Sequence, residues 1–133
     1  MHNLCALLIG ASLLLAAQVN AASSDELDAR YNDCLETSEG LTNSLVAACA
    51  EGVSDVAKKQ MNHTYQRLYL KLQQASTEAA QQLEEAQKAW LIYRNAHCDM
   101  QGKHIGSPMY YTCPMELNIN RLVELEFLLD NGG

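Results

Sequence analysis

From residue 24 onward, apolar positions recur every three to five residues with polar residues between them, the spacing expected of helix faces. Leu27, Tyr31 and Cys34 or Leu35 begin the series, continued by Ser38. Ser24 is placed to cap a first helix, Asp25, Glu26 and Asp28 suit its positive N-terminal end, and Gly40 is placed to stop it. Thr42 then opens a longer stretch marked by Leu45, Cys49, Val53, Val56, Met61, Tyr65, Leu68 and Leu72, which predicts one helix loosened near Gly52. A break at Ser76 and Thr77 precedes Ala80, Leu83, Trp90 and His97, with Glu78 in the first turn of a third helix. Met115, Ile119, Leu122, Leu125 and Leu129 predict a fourth, ending in a frayed Asn131-Gly132-Gly133. That helix is expected to start near Thr112 or to kink at Pro114, whose ring removes a backbone donor. No segment alternates with the period of a strand. The expected fold is all-α: a small four-helix, hairpin-rich bundle, with Gly102 to Tyr111 as a low-periodicity loop in which Ser107-Pro108 resembles a helix start.

The N-terminal segment has a different pattern. Leu4 to Ala17 is an apolar run of 14 residues broken only by Gly10 and Ser12, and Val19-Asn20-Ala21 is a small-residue cleavage signal. A helix needs about 20 residues to cross a bilayer, so the run reads as a signal peptide over residues 1–21 and not as a membrane anchor. Residues 22–133 are then the mature domain. Cys5 leaves with the signal, because no lipid-attachment motif precedes it. The remaining Cys34, Cys49, Cys98 and Cys113 read as two disulfides in an exported chain, with three connectivities available. Cys34 and Cys49, like Cys98 and Cys113, are separated by 14 residues whose midpoint falls beside a glycine, Gly40 or Gly106. In an antiparallel helical pair, residues equidistant from the turn face each other, which favours these two pairings; crossed pairing stays open.

Charge narrows the function. Sixteen Asp and Glu against nine Lys and Arg give a formal net charge of −7, all of it outside residues 1–21. Scattered cations on an acidic chain disfavour nucleic acid and favour a basic protein partner. The sequence has no phosphate-binding glycine loop, nucleophile elbow or HExxH run, so neither a cofactor nor enzymatic activity is expected. His97, Cys98, His104 and Cys113 carry zinc-ligand atoms, but neighbouring helical positions point about 100° apart and oxidised sulfurs cannot ligate. A Cys98 nucleophile with His97 or His104 as base fails for the same reason. Glu84 with Glu85, or Glu124 with Glu126, face apart on a helix and read as solvated surface. Trp90, Tyr93, Arg94 and His97 share one face and read first as a core stripe, with a ligand pocket as the alternative. Tyr65 and Tyr69 form a ridge expected to pack against it. Arg94 and Arg121 flank the 102–111 segment, and a buried acidic partner for each would make both structural. Within that segment His104, Met109, Tyr110 and Tyr111 are the candidate binding residues, because loops on rigid scaffolds carry recognition and Met with Tyr is interface-like.

Longer motifs carry a family resemblance. Met61-Asn62-x-x-Tyr65-x-x-Leu68-x-x-x-Leu72, then Leu83-x-x-Ala86-Gln87-x-Ala89-Trp90-x-x-Tyr93-Arg94-x-x-x-Cys98, then Tyr111-x-Cys113 and Arg121-x-x-x-Leu125 resemble the LprI-like family of secreted bacterial proteins. The resemblance covers most of residues 22–133. It implies a helical envelope domain, with Tyr65, Gln87, Trp90, Tyr93, Arg94 and Arg121 as structural motif residues, and a role in lysozyme inhibition. Asn118 stands where the family pattern has Thr, and Met61 where Leu is usual. No lipidation cysteine follows the signal, so a free periplasmic or secreted protein without a stable membrane anchor is expected. The expected function is a non-enzymatic binding module that inhibits lysozyme. The alternative is an accessory envelope protein that binds another exported protein.

Overall fold

The computed structural model describes residues 24–37 and 39–132. Within them the chain forms four helices and no strand: α1 (Ser24–Glu36), α2 (Asn43–Ala75), α3 (Thr77–His104) and α4 (Met109–Asn131). The signal segment, Cys5, the cleavage position after Ala21, Ser38 and Gly133 lie outside the described residues.

The turns follow from side chains that satisfy helix ends. Thr42 is extended, and its hydroxyl accepts from the Leu45 N–H at 3.1 Å, opening α2. Ser76 alone joins α2 to α3. Its backbone N–H donates to the Leu72 carbonyl, while its hydroxyl accepts from the Ala79 N–H at 3.3 Å. The loosening expected near Gly52 does not occur. α2 runs unbroken through that residue, whose missing side chain faces open space, so tertiary packing on the opposite face outweighs a helix-propensity penalty of about 1 kcal/mol.

The 102–111 segment is mostly helix and not loop. α3 continues to His104 and α4 begins at Met109, leaving only residues 105–108 as connection. Gly106 turns the chain at φ 140°, a conformation that disfavours side chains. Pro108 precedes the helix with φ −56° and ψ −31°, already helical. α4 therefore starts three residues before Thr112, and Pro114 lies inside it. So close to the helix start, Pro114 removes a single i→i−4 bond, the one to the Tyr110 carbonyl, and the earlier turn is held by the Thr112 N–H and hydroxyl, both donating to the Pro108 carbonyl.

The core is built around α2 and α4, which share the most extensive interface. Ala50, Val53, Ala57, Met61 and Leu68 of α2 are buried against Met115, Ile119, Leu122 and Leu125 of α4. Fully buried Ala50 and Ala57 let the helix axes approach closely, since axial separation is set by side chains at the contact. Leu27 of α1 is also fully buried in this core, and Leu83 of α3 completes it. Both favoured disulfides are present, Cys34–Cys49 with Cα atoms 5.7 Å apart and Cys98–Cys113 with Cα atoms 5.5 Å apart. Each clamps the two helices across a turn.

Candidate functional site

The motif residues of α3 and α4 converge. α3 runs back along α4 from the Cys98–Cys113 bridge, which brings Arg94 opposite Asn118 and Gln87 opposite Arg121. Asn118 is 1 % exposed; its Oδ1 accepts from Arg94 Nη1 and its Nδ2 donates to Ser54 Oγ of α2, both at 2.9 Å. Arg121 Nε donates to Gln87 Oε1 at 2.9 Å, and its Nη1 pairs with Glu124 at 2.7 Å. Gln87 also directs its Nε2 toward the Met61 sulfur at 3.9 Å. Half-buried Trp90 lies between the two cations, its ring centroid 5.3 Å from the Arg94 guanidinium carbon and 5.9 Å from that of Arg121. This arrangement orders three helices by hydrogen bonds and ring contacts. No carboxylate among the described residues lies within ion-pair distance of Arg94, and the Glu124 partner of Arg121 is exposed, so the buried acidic partners considered for these arginines are replaced by amides and an indole. Burial alone pulls Arg94 below the ordinary guanidinium pKa.

Tyr93 leaves the stripe. It is exposed, and it stacks on His97 with centroids 5.2 Å apart; His97 in turn contacts Gln101 at 2.8 Å. Tyr65 and Tyr69 do form a ridge, 6.2 Å between centroids, and Tyr65 shares a hollow with Gln87, Glu84 and Lys88 of α3. Burial, then the charge of Glu84, raises the Tyr65 phenol above its ordinary value.

A second feature lies at the end of the bundle that carries both disulfides. Tyr110, Tyr111 and Pro114 of α4 face Glu51, Ser54, Asp55 and Lys58 of α2 across an open groove of about 440 Å³. Glu51 is two residues from Cys49 and Pro114 adjoins Cys113, so a crosslink anchors each wall. Tyr110 packs on the backbone of buried Gly102, where a Cβ would collide with the ring. Its outer part remains 44 % exposed. Tyr111 is half-buried against the core. Lys58 pairs with Asp55 at 3.1 Å, whereas Glu51 has no cation within ion-pair distance among the described residues.

The groove includes only part of the residue set expected from sequence. Tyr110 and Tyr111 line it; Met109 and His104 do not. His104 is exposed on the last turn of α3 and Met109 is half-buried at the start of α4, because the segment that carries them folded into helices. The α2 wall was missed. Its signal was present as Glu51, Ser54, Asp55 and Lys58 at i, i+3, i+4 and i+7, one polar face of a helix. Among the described residues, no three His, Cys, Asp or Glu side chains are grouped to hold a metal. Cys98 and Cys113 are consumed by their bond. Glu84 pairs with Lys88 and Glu124 with Arg121.

No helix among the described residues is long and apolar enough to cross a membrane. Comparison of the chain with curated proteins and with solved structures gives no match. The family model described as lysozyme inhibitor LprI matches residues 34–125. That span begins at the first disulfide cysteine, includes the second bridge and both arginines around Trp90, and ends at the core residue Leu125. With most of its length matched and its bridges formed, the chain belongs to the LprI family.

Proposed function

We propose that this protein is a non-enzymatic binding module of the periplasm or extracellular space whose partner is a basic lysozyme, and that it binds through the disulfide-clamped end of the bundle. The match of residues 34–125 to a lysozyme inhibitor family carries this reading. The net charge of −7 supports it, because opposite net charges accelerate encounter in a salt-dependent way. Tyr110, exposed yet seated on Gly102, supplies an aromatic anchor whose position is set before binding. Export through the residue 1–21 signal, cleaved after Ala21, accounts for oxidised cysteines. The test is peptidoglycan hydrolysis by a basic lysozyme with and without the exported protein, at low and high salt. Inhibition that weakens with salt is expected; absence of inhibition at low salt and high protein concentration rejects the lysozyme reading.

One observation favours the accessory reading. Val123, Phe127 and Leu128 are exposed on α4 around a shallow apolar hollow at the side of the bundle, a surface suited to another exported protein. A stoichiometric partner other than lysozyme, recovered from periplasmic extract and lost on Phe127→Ser, distinguishes it.

A further inference from the structure

We infer that the groove between α2 and the first turns of α4 receives an arginine side chain of the partner protein. The inference rests on the binding reading above and specifies its chemistry. Three features of the groove act together. First, it offers anionic acceptors: among the described residues Glu51 is exposed and lacks an ion-pair partner, and Asp55 has Lys58 as its one ion-pair partner. Both ends of the Asp55–Lys58 pair are solvated, at 65 % and 48 % side-chain exposure, so an incoming cation can displace Lys58 at little cost. Second, Pro114 has no N–H, which leaves the Tyr110 carbonyl without its i+4 helical donor, and both residues line the groove. The residue that carries this under-bonded carbonyl forms the wall opposite the carboxylates. Third, Tyr110 and Tyr111 supply aromatic surface.

Carboxylates on one wall and tyrosines on the other match a planar guanidinium, which donates five N–H groups in a fixed fork and stacks on rings. An ammonium offers three donors and no plane. The Trp90 site of the same fold already holds guanidinium groups against a ring, with Asn118 and Gln87 as acceptors. The groove repeats that chemistry with its cation position open to a partner.

Local recognition must be separated from the attraction of an acidic chain for any basic protein. Affinity for a basic lysozyme is therefore measured by calorimetry in matched pairs of variants with equal net charge. Glu51→Gln in the groove is compared with Glu85→Gln, exposed on α3; Lys58→Gln is compared with Lys88→Gln. Glu51→Gln is expected to weaken binding about tenfold, the scale of one lost charged hydrogen bond, against less than twofold for Glu85→Gln. Lys58→Gln is expected to tighten binding more than Lys88→Gln, because it removes the groove's resident cation. Lysozyme whose arginines are capped by a dicarbonyl reagent is expected to lose binding, while lysozyme with reductively methylated lysines, which keep their charge, retains it. A wild-type protein that binds no lysozyme overturns the functional reading itself. Wild-type binding reduced equally by Glu51→Gln and Glu85→Gln, or abolished by lysine methylation alone, leaves that reading standing and overturns the arginine groove.

Discussion

Asn118 is the residue where the packing argument is sharpest. A fully buried amide in an α-helical core is tolerated because both ends are used: the oxygen by Arg94, the nitrogen by Ser54. Asn118→Ala removes both partners at once and leaves a partly buried guanidinium short of an acceptor, at an expected loss of about 2–3 kcal/mol by urea denaturation. Asn118→Thr keeps one hydroxyl in the site and is expected to lose less. Glu126 gives a pH dependence. Burial, reinforced by the charge of Asp130, raises its carboxyl above the ordinary value of 4.5. The folded state then binds that proton more tightly than the unfolded chain, so this group's contribution is favourable below the unfolded pKa and is lost as pH rises through the folded one. Glu126→Gln is accordingly expected to raise the melting temperature at pH 7, with the gain shrinking as pH falls through the raised folded pKa toward 4.5 and gone below it.

At the scale of elements, α2 shows tertiary packing overriding a local weakness. Gly52 keeps helical conformation while its open side meets nothing, so Gly52→Ala adds helix propensity without a clash. A stabilisation of about 0.5–1 kcal/mol is expected from denaturant midpoints, with no change in the groove. α4 shows a related effect at its start. Pro114 predicts a start near Thr112 or a kink because an interior proline forfeits a bond, yet the forfeited bond belongs to Tyr110 in the first turn, where Thr112 holds the chain through Pro108. The proline therefore did not move the helix start. It left the carbonyl of groove-lining Tyr110 without its i+4 donor.

For the whole molecule, the placement of the crosslinks matters more than their number. Both lie at the groove end, whereas the other end is held by Ser76 and by Lys71 donating to the Leu129 carbonyl at 2.9 Å. Replacing Cys98 and Cys113 together by serine is expected to lower stability by about 3 kcal/mol through the freed unfolded chain, measured by urea titration. Hydrogen exchange is expected to rise first at Met109 to Cys113, ahead of the Ser76 turn, because the bridge anchors the wall that carries both tyrosines.

Periodicity was enough to read four helices, and cysteine spacing favoured the two bridges that form without excluding crossed pairing, because each depends on short-range geometry: which residues share a face, and which positions lie equidistant from a turn. Side chains on two helices distant in sequence meet only once the core has set the helices' register, and no local pattern contains that register. For this reason Glu51, Ser54 and Asp55 joined Tyr110 and Tyr111 while Met109 and His104 stayed out, and Arg94 settled on Asn118 where a carboxylate had been considered. Local spacing decides which face of a helix is apolar; long-range packing decides what each polar face meets, and in this protein the candidate site sets a polar face of α2 against tyrosines of α4.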